Sequence, residues 1–179
     1  MAKQIYVIRH CAAEGQESEA PLTPAGRKQA EQLAEHLVDR GIDRVISSPY
    51  LRARQSIQPF LEWSGLTMAS DERLAERVLS ATPMDDWMEK LENSFEDPDI
   101  SYGGGESGKE AAVRASSVVD GLPEGSCTAL VTHGNLMALL IGEYDPQFGF
   151  EQWRRLTNPD VYQLSIGTKV KIQRTWQEE

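Results

Sequence analysis

Gln4-Ile5-Tyr6-Val7-Ile8 is a short, mainly apolar and β-branched run that predicts a buried strand, and it ends directly in Arg9-His10-Cys11. A charged Arg and a His where a strand stops is the placement that open α/β sheets use for chemistry, at the carboxyl ends of their strands. The same pattern returns late in the chain, where Thr128-Ala129-Leu130-Val131-Thr132 is followed by His133-Gly134-Asn135. Two strand-end histidines and an early Arg imply a basic pocket for an anion.

Between these two strands, helices and strands alternate. Thr23 has the form of an N-cap with Pro24 in the first turn. Ala30, Leu33, Ala34, Leu37 and Val38 then build one apolar helix face, with Gly41 as the expected stop. His36 falls off that stripe beside Glu31, Glu35 and Arg40, and is expected to be a solvated helix residue. Ile42–Ser47 reads as the second strand. Ser47-Ser48-Pro49 turns from it into a helix carrying Ile57, Phe60 and Leu61, with Arg52 in its first turns, within reach of His10.

Thr67–Ser70 is a candidate short strand. From Val78 to Gly105 the pattern degrades into a specificity insertion with one short amphipathic helix, Met84 to Phe95. Ser107 and Glu110 form a capping box for a helix to Val119, and an apolar helix, Leu136–Ile141, follows His133. Val161–Ile166 and Lys169–Trp176, joined by Gly167-Thr168, predict a closing hairpin. The expected fold class is α/β: a three-layer α/β/α sandwich with a mainly parallel sheet and an antiparallel C-terminal edge.

At 179 residues, with an apolar fraction of 40%, a single domain over residues 1–179 is expected, with the insertion at about 78–105. A formal charge of −10 argues against nucleic-acid binding, which needs clustered Lys and Arg, so an anionic ligand would be small and gripped locally. No stretch resembles a signal peptide or a membrane span. The two cysteines, Cys11 and Cys127, make neither a disulfide framework nor a zinc-ligand spacing, and a cytoplasmic location is expected. Trp63, Trp87, Trp153 and Trp176 are expected to be mostly core. Oligomeric state is not legible.

Arg9-His10, Ser47-Ser48-Pro49 with Arg52, Leu74-Ala75-Glu76, Gly105-Glu106-Ser107 and Val131-Thr132-His133-Gly134-Asn135, taken in this order, resemble the histidine phosphatase superfamily, in its phosphoglycerate mutase-like branch. The resemblance implies that His10 is the nucleophile that becomes phosphohistidine. It implies that Arg9, Arg52 and His133 hold the phosphate oxygens, and that Glu76 is the proton donor to the leaving alcohol. Gln16, Gly134 and Asn135 complete the implied substrate-binding set. No metal and no cofactor is implied.

These residue types suit the chemistry. A phosphate monoester dianion repels nucleophiles, so a neutral imidazole attacking phosphorus needs cations and hydrogen-bond donors around the equatorial oxygens. An alkoxide leaves poorly, hence a carboxylic acid to protonate it. Two histidines with Glu76 could also bind zinc, although no H-x-H or H-x-x-x-H spacing supports that. Glu106-Ser107 is expected to act as a helix cap, with Glu106 also able to pair with a neighbouring cation, and Arg114 is expected to be structural.

The chain departs from the family pattern at Cys11, where Gly is usual, and at Ala12, Ala13 and Gln16. Cys11 beside a basic pocket could form a low-pKa thiolate open to oxidation, or be a buried inert thiol. The expected function is a cofactor-independent phosphomonoesterase acting on a small phosphorylated metabolite. A phosphoglycerate mutase, or a phosphate-binding module that has lost turnover, is the alternative.

Overall fold

The computed structural model describes residues 1–177. Six strands form one sheet in the order β3-β2-β4-β1-β5-β6. They are β1 (Lys3–Arg9), β2 (Arg44–Ser47), β3 (Met68–Ser70), β4 (Cys127–Thr132), β5 (Asp160–Ile166) and β6 (Val170–Arg174). The four strands β3, β2, β4 and β1 run parallel, while β5 is antiparallel to β1, and β6 to β5, so the antiparallel C-terminal edge forms as expected. The helices are α1 (Pro24–Leu37), α2 (Leu51–Ser64), α3 (Trp87–Glu96), α4 (Gly108–Asp120), α5 (Gly134–Gly142) and α6 (Phe150–Arg154), and the fold is mixed α/β.

The chain divides into two compact units. The first comprises 1–75, 122–133 and 157–179, and the second 76–121 and 134–156. The first holds the whole sheet with α1 and α2. Its core interleaves Tyr6, Ile8, Ala129 and Val131 from the sheet with Leu33, Leu37, Ile57 and Phe60 from the two helices. Ile5 and Val7, on the opposite side of β1, are also fully buried, which is why this strand reads as a continuous apolar run.

Helix α1 starts where the capping chemistry predicts: Thr23 Oγ1 accepts from the Gly26 N–H at 2.9 Å, and Pro24 supplies the first turn. It ends at Leu37, four residues before Gly41, whose φ of 74° serves the following turn instead.

In the second unit the capping box of α4 is present in both directions, Ser107 Oγ accepting from Glu110 N–H at 3.0 Å and Glu110 Oε1 from Ser107 N–H at 3.2 Å. Helix α5 is apolar all round and almost wholly buried. The insertion folds one helix, α3. Helix α6, only five residues long, is too short to carry a readable period and has no counterpart in the sequence expectations.

Two expectations fail on packing. His36 is only partly solvated: it is half-buried, its Nε2 lies 2.9 Å from Thr175 Oγ1, and its ring meets Trp176 edge-on at 5.3 Å between centroids. Contacts from the C-terminal segment, remote in sequence, fill what the helical wheel leaves open. Of the tryptophans only Trp176 is in the core; Trp63 and Trp87 are 48% and 47% exposed, and Trp153 is half-buried, stacked on Phe150. Trp63 sits in the last turn of α2 and Trp87 in the first turn of α3, positions from which an indole reaches past the buried stripe.

Candidate active site

Register builds the site. β1 and β4 are neighbours with Arg9 opposite Thr132, and β2 and β4 pair Ser47 with Val131. Three adjacent parallel strands therefore stop level with one another, and the next residue on each, His10, His133 and Ser48, emerges at the same edge. His10 N–H still donates to Thr132 O at 3.1 Å and Ser48 N–H to Val131 O at 2.8 Å. The two imidazoles lie 5.1 Å apart, edge to face.

His10 is held in one tautomer. Its Nδ1 lies 2.7 Å from Cys11 O, and a carbonyl only accepts, so Nδ1 carries the proton. Nε2 is then a bare lone pair, and it accepts from Arg52 Nε at 3.3 Å. Burial holds the His10 pKa down to about 4, against the raising effect of the Cys11 carbonyl, with the charges of Arg52 and Arg9 lowering it further. The ring is neutral at ordinary pH, with Nε2 ready as a nucleophile.

Arg52, at 1% exposure, is among the most deeply buried large side chains of the protein. Nη1 donates to the carbonyls of Gln16 and Glu17 at 3.1 and 2.9 Å. Gln16 thus reaches the site through its backbone, and its exposed side chain makes no hydrogen bond among the described contacts. The Arg52 carbonyl accepts from Ser56 Oγ at 2.7 Å, and that oxygen accepts from Cys11 N–H at 2.8 Å, which ties α2 to the loop that follows His10. Arg9 is oriented by Thr157 O, 3.5 Å from its Nη1.

His133 is fully buried. Its Nε2 shares a 2.8 Å hydrogen bond with Ser48 Oγ, which also accepts from Tyr50 N–H. The Tyr50 ring lies edge-on to His133 at 4.9 Å between centroids and under the Arg52 guanidinium at 4.9 Å. Asn158 Nδ2 donates to His10 O at 3.0 Å. The sequence alone assigns no role to Ser48, Tyr50 or Asn158. Ser48-Pro49 after a strand end was the available signal for the first two, whereas nothing near Asn158 marks it.

The first unit therefore brings together Arg9, His10, Arg52 and His133. The second brings together Glu76, Gly134 and Asn135. Glu76 Oε2 accepts from Asn135 N–H at 3.1 Å, and Oε1 from Leu136 N–H at 2.9 Å and from its own neighbour Arg77 N–H at 2.8 Å. The carboxylate sits on the first turn of α5, where unsatisfied N–H groups favour it. Gly134 opens that helix, and the buried Asn135 Oδ1 has no hydrogen-bond partner among the described residues.

Among the described residues no three His, Cys, Asp or Glu side chains come together in a metal-ligand arrangement. Nor is any helix long and apolar enough to cross a membrane.

Cys11 is fully buried in the core of the first unit, and burial pushes its thiol up to about 12, only partly offset by Ser56. Of the two readings of Cys11 this favours the buried inert thiol: the same desolvation that lowers His10 raises Cys11.

Residues 5–178 match the sequence profile of the histidine phosphatase superfamily (branch 1). The chain belongs to that superfamily. It is 33% identical over 159 residues to a probable phosphoglycerate mutase, GpmB, of Yersinia pestis, covering 77% of this chain and 73% of that protein. Among solved structures it resembles a mycobacterial glucosyl-3-phosphoglycerate phosphatase with a TM-score of 0.76 at 25% identity, over 98% of both chains. Bacillus stearothermophilus YhfR gives a TM-score of 0.80 at 19% identity, over 97% of this chain and 96% of that one, a likeness of fold.

Proposed function

We propose that this histidine phosphatase superfamily member hydrolyses small phosphomonoesters through a phosphohistidine on His10, with no metal or cofactor, in the cytoplasm. The observation that carries the reading is the neutral His10 ring with its bare Nε2 set against the buried Arg52 guanidinium. The Nε2 lone pair attacks phosphorus and forms the N–P bond as the P–O bond to the alcohol breaks. Arg9, Arg52 and His133 bear the charge spread over the equatorial oxygens. The ring becomes cationic as it is phosphorylated, and the Nδ1–H bond to Cys11 O strengthens with it.

Glu76 gives a proton to the leaving oxygen. In the second step it takes one from water as water attacks phosphorus and the N–P bond breaks. Three N–H groups fix the orientation of this carboxyl group; because they also favour its ionised form, in this reading it takes up the proton as the phosphate dianion arrives. Gly134, Asn135 and Gln16 belong to the proposed substrate-binding set, Asn135 through its buried and unpartnered Oδ1.

A mutase has to hold a second anionic group of its substrate. The segment 78–105 carries one cation, Lys90, against the seven acids Asp85, Asp86, Glu89, Glu92, Glu96, Asp97 and Asp99. Lys90 is itself engaged by Asp86 at 3.5 Å and the Tyr102 ring at 4.8 Å. This favours a hydrolase. The Yersinia relative keeps phosphoglycerate mutase as the second reading.

Phosphate release from a panel of phosphomonoesters, with wild type and His10→Ala compared and 3-phosphoglycerate isomerisation followed in the same mixtures, tests the proposal. Release that depends on His10 supports the phosphatase, isomerisation without release makes it a mutase, and neither activity leaves a phosphate-binding module.

A further inference from the structure

Within the second unit, the irregular segment that carries Glu76 is fastened by a second set of charged groups. Arg114, on α4, grips Glu106 with two prongs, Nε to Oε2 at 2.7 Å and Nη2 to Oε1 at 2.8 Å. The same Nη2 reaches the Glu76 carbonyl at 3.4 Å. Glu106 Oε1 accepts from Val78 N–H at 3.1 Å, and Glu106 N–H donates to Val78 O at 2.7 Å. The Glu106 carbonyl accepts from Arg77 Nε and Nη2 at 3.3 and 3.2 Å, and Arg77 Nη1 donates to Ser94 Oγ at 2.9 Å. Gly105 permits this pairing, since a Cβ there would lie 2.2 Å from Leu79 O.

We propose that the Arg114–Glu106 ion pair is a positioning device for Glu76, setting the direction from which its carboxylate meets the substrate. This rests on the reading of Glu76 as the proton donor. Helix α5 holds the Glu76 carboxylate through N–H groups, and Arg114 acts on its backbone: one nitrogen of the fork holds the Glu76 carbonyl while Glu106 holds the backbone two residues on. The planar guanidinium reaches all three acceptors at once; a lysine ammonium at the same place keeps the charge but not the fork. The pair is partly screened, with side chains 22% and 25% exposed, so its value lies in geometry more than in net stabilisation.

The test compares Arg114→Lys, Glu106→Gln and Glu76→Gln on an aryl phosphate, which needs little help in leaving, and an alkyl phosphate, which needs a proton. Arg114→Lys is expected to lower kcat on the alkyl phosphate about ten- to hundredfold and to leave the aryl phosphate nearly unchanged, the signature of a displaced acid. The double variant with Glu76→Gln should be no slower than Glu76→Gln alone. The amide resonances of Arg77, Asn135 and Leu136, which report the grip on the Glu76 carboxylate, should shift in Arg114→Lys while the melting temperature stays close to wild type. An equal loss on both substrates, or an unchanged alkyl rate with unmoved amides, overturns the proposal. Moved amides combined with a Glu76→Gln variant unselective between the two esters would uphold the positioning and remove the acid role instead.

Discussion

Arg52 Nε donates to His10 Nε2 across 3.3 Å, so a fixed positive charge rests on the atom proposed to attack phosphorus. The contact has two effects. It disfavours protonation of Nε2, and it stations a guanidinium where equatorial oxygens gather once a phosphate displaces it.

The pH dependence follows from the same contact. With His10 at about 4, the acid limb of kcat/KM, corrected for substrate ionisation, should lie near pH 4 instead of near the ordinary 6.5. Arg52→Gln removes a charge that lowers the pKa, so the limb should move to higher pH while the rate falls about 10²–10³-fold. A limb that stays in place while the rate drops would show burial alone sets the pKa. For stability the sign is the reverse of a salt-bridged histidine. Between pH 6.5 and about 4 the unfolded chain binds a proton that folded His10 refuses, so His10 makes stability fall as pH falls through that window.

The thiols should label in a fixed order. Cys11 is fully buried with its pKa near 12, whereas Cys127 is half-buried and its pKa is raised less. A maleimide or an aromatic disulfide at neutral pH should modify Cys127 slowly and Cys11 only on unfolding, with activity retained after the first thiol has reacted. Rapid inactivation that disappears in Cys11→Ala would contradict the buried assignment.

Gly26 lets the loop after His10 pack closely against α1 by having no side chain. A Cβ there would come 2.0 Å from Ala12 O, in the backbone of the loop that follows His10 and Cys11. Gly26→Ala has no flexible neighbour to push aside, so the loop or the start of α1 must shift, at a cost of about 1–3 kcal/mol. Urea denaturation should show the loss, and turnover should fall with it. A variant that is destabilised but fully active would mean that α1 yields and the loop does not.

The legible part of this site was the part encoded by strand ends. His10 and His133 follow apolar runs whose period marks them as buried strands, and parallel pairing then brings the two ends together. Partners recruited from far along the chain were not legible: Asn158 meets the His10 carbonyl from 148 residues away, and Thr175 meets His36 from 139. Both lie on segments whose local pattern says only turn or strand end. Cys11 was readable as a neighbour of cations, but its pKa depends on desolvation, which needs the packed core. Glu106 read as part of a helix cap that could also pair with a neighbouring cation; that the cation is Arg114, and that Glu106 holds Val78 as well, appears only once the backbone of 76–78 is placed.

A chain of contacts from the last strand also reaches His10, the proposed nucleophile. Arg174 donates from Nη2 and Nε to the two oxygens of Asp160 at 2.7 and 2.9 Å, and Asp160, fully buried, accepts from Thr157 N–H at 3.0 Å. The next residue, Asn158, donates to the His10 carbonyl. Arg174→Met leaves the Asp160 carboxylate buried without its cation. Removing one partner of a buried pair costs about 3–5 kcal/mol, and the partial exposure of Arg174 puts this case at or below the low end. Chemical denaturation should show that loss. If the bracket matters to the site, the folded variant should also lose turnover and not only stability, because the Thr157–Asp160 turn that carries Asn158 loosens. Asp160→Asn turns one of the two acceptor oxygens into a donor facing a backbone N–H and an Arg174 nitrogen, and should loosen the same turn. Equal turnover per folded molecule in wild type and Arg174→Met would confine the bracket to stability.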